Sequence, residues 1–219
     1  MIRKRTALLL GILSILLFVR GDVVLAVDFP QTIDVLKALY NDEMSGYITY
    51  RKFAGKAASE NYHQIAYLFA SLAASEFIHA GNFKKHLTEL GVEVNGAEKQ
   101  DVAVSDTKKN LKYAVENELN DIDRKYPALI EKINSEGLEP VIRNLTYSWQ
   151  SEKQHRDIIV KIQSGTGMFF WALSKKIEGT PVQFFVCDKC GSTLNELPHD
   201  TCPICRGDAS KYKLVEKTD

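Results

Sequence analysis

Two glutamate–histidine pairs are the residues of this chain best suited to metal chemistry. Glu76-Phe77-Ile78-His79 and Glu152-Lys153-Gln154-His155 each set a carboxylate and an imidazole three residues apart. On a helix that spacing points both side chains the same way. Each pair then offers a hard oxygen and a borderline nitrogen to one metal ion. A lone acid precedes each pair: Glu43 lies 33 residues before Glu76, and Glu118 lies 34 before Glu152. The chain therefore reads as a duplicated unit, with one glutamate on a first helix and Glu-x-x-His on the next. Four such helices supply the side-chain set of a di-iron carboxylate bundle. The competing reading is ordinary polar residues on helix edges, and the two-fold repetition of the pattern argues against it.

Helical periodicity supplies the elements that must position these groups. Phe29-Pro30-Gln31 reads as an entry loop and Thr32 as an N-cap. From Ile33 to about Glu60, Leu36, Leu39, Tyr40, Tyr47, Tyr50 and Ala54 form one stripe, with Glu43 inside it. A carboxylate in a core-facing stripe is costly unless paired or bound to metal. A second helix, from about Tyr62 to Leu90, carries Ile65, Phe69, Leu72, Ala73, Ala80 and Phe83 beside Glu76 and His79, while His63 and His86 read as surface or rim. Residues 92–105 lack periodicity and read as a long crossover. A third helix, from about Asp106 to Asn134, places Leu111, Val115, Glu118, Ile122 and Leu129 on one face. Asp121 flanks that face, Glu116 points away, and Pro127 is expected to kink or divide the helix. After Ser135-Glu136-Gly137 a fourth helix runs to about Ser164, with Val141, Ile142, Leu145, Trp149, Ile159 and Ile162 sharing a face with Glu152 and His155.

Every cysteine falls in the last 37 residues. Cys187-Asp-Lys-Cys190 and Cys202-Pro-Ile-Cys205 are two Cys-x-x-Cys knuckles, whose four thiolates suit a tetrahedral zinc or a single iron. Gly191 and Pro203 supply turns that leave backbone N–H groups free to bond the sulfurs. Two disulfides and a purely structural zinc ribbon are the alternatives. Proximity to a di-iron bundle, which needs an electron source, favours iron.

The N-terminus has a separate character. Arg3, Lys4 and Arg5 precede an apolar run from Ala7 to Val19, and Val24-Leu25-Ala26 ends in small residues. This predicts a secretory signal peptide over 1–26, cut after Ala26. The run is short of the roughly 20 apolar residues of a spanning helix. An uncleaved anchor is the competing reading, kept open by Arg20 and Asp22. Export to the periplasm is the expectation. No adjacent twin-arginine pair is present, so the metal would be loaded outside the cytoplasm. The formal net charge of +0 gives no reason to expect nucleic acid as a partner. The resulting organisation is 1–26 signal, 27–165 bundle, 166–182 linker and 183–219 cysteine module.

Taken together, Glu43, Glu76-x-x-His79, Glu118-Leu-Asn-Asp121, Glu152-x-x-His155 and the two cysteine knuckles resemble the rubrerythrins over about residues 33–219. The run Asn110 to Glu118, ending in Tyr126-Pro127, is similar to that family's third helix. The resemblance implies a mainly α fold, a ferritin-like four-helix bundle followed by a rubredoxin-like four-cysteine domain. It implies two irons held by Glu43, Glu76, His79, Glu118, Glu152 and His155, and one iron or zinc held by Cys187, Cys190, Cys202 and Cys205. Tyr50 and Tyr126 match tyrosines near the family's metal site. One departure stands out. Where the family has a glutamate that binds iron in one oxidation state and exchanges with a histidine as that state changes, this chain has the shorter Asp121, the candidate metal ligand and catalytic residue at that position, with His79 as the matching partner. The activity implied is reduction of hydrogen peroxide to water, with electrons relayed through the four-cysteine iron. That iron is expected beside a neighbouring subunit's bundle, in a head-to-tail homodimer served by an external donor that the sequence does not name. A ferroxidase or iron-binding protein, and a non-enzymatic zinc-ribbon bundle, are the other classes.

Overall fold

The computed structural model describes residues 29–94, 96, 101–163, 179 and 182–217, without the side chains of 161–163. The signal segment 1–26, nearly all of the 166–182 linker, the aromatic cluster Phe169-Phe170-Trp171 and the side chain of Ile162 therefore lie outside the described residues.

Helix α1 spans Pro30–Ser59, beginning three residues earlier than its apolar pattern predicts. Pro30 occupies the first turn, where a missing N–H is no loss. Thr32 is not the cap. The N–H groups of Gln31 and Thr32 instead donate to the Glu136 carboxylate, at 2.9 and 2.8 Å. Helix α2 runs His63–Glu89 and helix α3 runs Thr107–Asn120. Asp106 caps α3 by accepting from the Lys109 N–H at 2.9 Å, and the Thr107 N–H donates to Glu60 at 3.0 Å. Glutamates that follow one helix thus cap another, which ties α1 to the end of the third helix and α3 to the end of the first.

Pro127 divides the third helix, through a wide turn rather than a break. A π-helical turn, Asp121–Lys125, joins α3 to helix α4, Tyr126–Asn134. The Tyr126 N–H reaches back five residues to the Asp121 carbonyl. The same register would pair the Ile122 carbonyl with residue 127, but proline has no N–H to give. The Trp149 indole N–H fills that vacancy, donating to the Ile122 carbonyl at 2.9 Å from helix α5, Glu139–Gln163.

The bundle holds two apolar clusters, one on either side of a polar layer. Phe53, Phe69, Leu72, Leu111, Val115 and Ile159 belong to the first. Leu36, Leu39, Phe83, Leu87, Ile133, Val141 and Leu145 belong to the second. Along every helix the expected metal ligands fall between the two. Burying each large apolar side chain contributes about 1.5–3 kcal/mol, so the layer is flanked by packing that does not depend on it.

The C-terminal module is a three-stranded antiparallel sheet, with β1 (Phe185–Cys187) between β2 (Thr193–Leu194) and β3 (Tyr212–Leu214). Its buried cluster consists of the four cysteines and Tyr212, with Tyr147 of α5 packed against it. Among the described residues, no helix is long and apolar enough to cross a membrane.

Candidate metal centres

The polar layer gathers six side chains from four helical segments. Glu43 comes from α1, Glu76 and His79 from α2, Glu118 from α3, and Glu152 and His155 from α5. All six are buried. Their ligand atoms form two interlocking sets, Glu43–Glu76–His79–Glu152 and Glu76–Glu118–Glu152–His155, each within 4.8 Å. Glu76 and Glu152 belong to both, which is the position of bridging carboxylates between two metals. Gly46 makes room for the first bridge: a Cβ there would lie 3.3 Å from Glu76 Cγ.

Nδ1 of each histidine faces the carboxylates. His79 Nδ1 lies 3.4, 3.3 and 3.1 Å from Glu43, Glu76 and Glu152, and His155 Nδ1 lies 3.0 Å from Glu152. Nε2 of each faces away, toward hydrogen-bond acceptors in the cysteine module. His79 Nε2 is 3.2 Å from the Cys190 carbonyl, and His155 Nε2 is 3.3 Å from Thr193 Oγ1. A proton on Nε2 leaves Nδ1 as the free lone pair, the tautomer a metal requires.

The electrostatics show why these groups suit a cation. Burial, then repulsion from Glu152, pushes Glu76 and Glu118 well above the usual carboxylate range. Burial also opposes ionisation of Glu152, but His155 and His79 outweigh it and hold this carboxyl low. Burial disfavours a charged His79, yet Glu152, Glu43 and Glu76 raise it well above its usual value. Protons thus stand where cations would. Glu152 Oε1 is buried, with His79 Nδ1 3.1 Å away. Four carboxylates balance two divalent ions, and the mixture of oxygen and imidazole donors suits iron. The residues fit the pair.

Tyr50 donates to Glu118 Oε1 and Tyr126 donates to Glu43 Oε1, each at 2.6 Å. Burial and the adjoining carboxylates push both phenols well up, so they remain protonated donors. The two contacts are two-fold equivalents, each tyrosine serving the lone glutamate of the other half. Tyr50 follows Glu43 by seven residues, whereas Tyr126 follows Glu118 by eight. The π turn lies in that second interval and takes up one extra residue, which also accounts for the one-residue difference between the two Glu-to-Glu spacings.

Asp121 stands apart from both ligand sets. Its carboxylate lines a cavity of about 290 Å³ that also reaches Glu43, Glu76 and Glu118. It accepts from Lys125 Nζ at 3.0 Å. Burial raises its pKa to about 6, with Lys125 opposing and Glu152 and Glu43 adding to the rise. Lys125 belongs to none of the ligand motifs, although its place one turn after an acid is a readable signal.

In the module, the sulfurs of Cys187, Cys190, Cys202 and Cys205 also lie within 4.8 Å of one another. All four are unbridged, with Cys187–Cys205 at 3.9 Å and Cys190–Cys202 at 3.6 Å, far beyond a disulfide bond. The Ser192 N–H lies against the Cys190 sulfur and the Cys205 N–H against Cys202, as the knuckle turns predict. Tyr212 adds an O–H donor to Cys202 at 3.3 Å. The fit to a tetrahedral thiolate-bound metal is direct.

The module lies against the bundle of its own chain. Ser75 donates to the Gly191 carbonyl at 2.6 Å, Ser192 to Gln154 at 2.9 Å, and Asn82 to the Lys189 carbonyl at 3.0 Å. Gly191 supplies the knuckle turn and has a second duty. Its φ is +76°, and a Cβ would lie 2.3 Å from His79 Nε2 and 2.6 Å from Ser75 Oγ. Only glycine permits this approach.

Comparison with known proteins agrees with these two centres. The rubrerythrin family model matches residues 34–163. Rubrerythrin-2 of Clostridium acetobutylicum is 28% identical over 193 residues, spanning 86% of this chain and 99% of its own. Nigerythrin of Nitratidesulfovibrio vulgaris is 28% identical over 177 residues, spanning 80% and 81%. The structure of fully reduced, all-ferrous nigerythrin aligns with a TM-score of 0.70 at 25% identity, covering 84% of this chain and 86% of that one. With a ferritin-like carboxylate–histidine site and a separate four-cysteine cluster, the chain belongs to the rubrerythrin family.

Proposed function

We propose that this protein is a non-haem di-iron peroxidase that reduces hydrogen peroxide to water, with a four-cysteine iron as its internal electron relay. The reaction consumes two electrons and two protons per peroxide and yields two waters. The observation that carries the reading is the hydrogen bond from His79 to the Cys190 carbonyl, which links a residue of the carboxylate layer directly to a residue of the four-cysteine cluster. Glu43, Glu76, His79, Glu118, Glu152 and His155 would hold two irons, and the four cysteines a third. When bound, the iron pair would supply the two electrons for O–O cleavage and the thiolate-held iron would return them singly.

The chain's own residues prepare that chemistry. Tyr50 and Tyr126 orient Glu118 and Glu43 and stay protonated. The cavity leading to the site is bordered by Asp42, Ser45, Thr49, Asn117 and Asn120, which suits a small hydrogen-bonding substrate better than a bulky organic peroxide. Asp121 borders the same cavity, and any direct part in catalysis would require it to leave Lys125.

Export is part of the proposal, resting on the 1–26 pattern. Reducing equivalents would then come from a carrier outside the cytoplasm, such as a cytochrome or a quinol-linked protein. The homodimer that the resemblance implies would bring the same two surfaces together across chains. Mass spectrometry of the mature N-terminus and light scattering test these two points.

The central test is anaerobic. Fully reduced protein is mixed with hydrogen peroxide while iron content and the visible spectrum are followed. About three irons per chain, two electrons lost per peroxide, and thiolate–iron absorption that returns on oxidation support the reading. Two irons and one zinc would remove the internal relay. Oxidation of added Fe(II) without turnover of an external reductant would make the protein a ferroxidase. No iron at all would leave a zinc-ribbon bundle.

A further inference from the structure

The interval between Glu118 and Tyr126 holds a charged pair that the metal site does not use. Asp121 and Lys125 are the first and last residues of the π turn, and both face the cavity that reaches the ligands. Lys125 Nζ lies 3.0 Å from Asp121 Oδ2 and 3.4 Å from Asp42 Oδ2 on α1. The Asp121 side chain is 13% exposed and that of Lys125 is 21% exposed. The pair is therefore largely withdrawn from water and holds more firmly than a surface ion pair.

Charge counting explains why the lysine is needed. Four glutamates already match two divalent cations, so a fifth carboxylate in this layer would leave excess negative charge in a poorly solvated place. Lys125 cancels it. Asp121 is also one methylene shorter than glutamate, and no atom of it joins either set of mutually close ligand atoms.

We propose that Lys125 is a positioning residue that ties Asp121 outside the ligand set, so that the metal pair is held by four glutamates and two histidines alone. The proposal rests on the di-iron assignment but not on peroxidase activity. It also changes what the family resemblance implies for this chain. A carboxylate that must break an ion pair before it can reach a metal is withheld rather than freely exchangeable.

The test is a double-mutant cycle read by anaerobic calorimetric titration of Fe(II) into the full chain, with its four-cysteine site already filled. D121N alone should change Fe(II) affinity by less than about twofold, because an outer carboxylate is removed. K125M frees Asp121 and should tighten Fe(II) binding by about tenfold, within the range by which neighbouring groups tune metal sites. K125M/D121N should return to the wild-type value, and K125R, which keeps the cation, should match wild type. A tenfold weakening in D121N alone would show Asp121 to be a ligand already and overturn the proposal. A gain in K125M that persists in the double variant would overturn it too, since the lysine would then act by charge alone. No gain in K125M has the same consequence. Should K125M lose its helical circular dichroism, D121N and K125R decide the matter between them.

Discussion

The carboxylate layer and the four-cysteine cluster both keep a metal from water, but they depend on the rest of the chain in opposite ways. The layer draws ligands from Glu43 through to His155, on four helical segments, and sits between two apolar clusters that pack without it. The cysteine cluster takes its ligands from within Cys187–Cys205, and those cysteines are themselves most of the module's core. In the first case the fold creates the site. In the second a bound metal would hold the fold together. Each arrangement follows from size: the bundle buries enough apolar surface to stand alone, whereas a module of fewer than forty residues does not.

Metal removal should divide the two regions most sharply. Structural thiolate sites contribute on the order of 10–16 kcal/mol to small domains. A strong chelator should therefore abolish the module's sheet, read by loss of dispersed amide resonances from 185–214, while helical circular dichroism persists. Cooperative loss of both signals would show that the bundle also depends on its metals. Next in size is Glu118→Ala, which should lower peroxide turnover by more than about 100-fold, beyond the range seen for neighbouring groups. The metal-free bundle should change little in stability, because relief of the repulsion from Glu152 and Glu76 offsets loss of the Tyr50 hydrogen bond. Retained turnover would break the site assignment.

Phe83→Ala tests the claim that apolar packing carries the bundle. It should cost about 3–5 kcal/mol in the helical transition and leave the thiolate spectrum unchanged. Trp149→Phe keeps most of the packing but removes the donor to the Ile122 carbonyl, at a cost of about 1–3 kcal/mol by denaturant titration. A neutral result would mean that water replaces the indole at the π turn. The smallest effect belongs to Asp106→Ala, about 1 kcal/mol from loss of the α3 cap. The Lys109 N–H holds the Asp106 carboxyl below its ordinary 3.8. Its contribution is complete above that ordinary value and is lost as pH falls through the lower folded one. The difference between wild type and variant should therefore shrink in acid, and a difference unchanged at low pH would exclude the carboxylate cap.

Much of this molecule is local, and local features are legible. Helical periodicity placed Glu43, Glu76, His79, Glu118, Glu152 and His155 on buried faces because burial repeats every three to four residues along one helix. The Cys-x-x-Cys knuckles are read within a few residues of themselves, and the module's turns follow from Gly191 and Pro203. Other features required the elements to meet. That Glu60 and Glu136 cap helices remote in sequence, that Trp149 supplies the bond Pro127 cannot, and that Lys125 holds Asp121 away from the ligands all depend on packing between segments. So does the docking of Gly191 on His79. Sequence alone displayed the one-residue difference between the two halves without its cause. The π turn supplied the cause, because an extra residue can be absorbed only where a wider hydrogen-bond register, and a partner to satisfy the carbonyl it frees, are both in place.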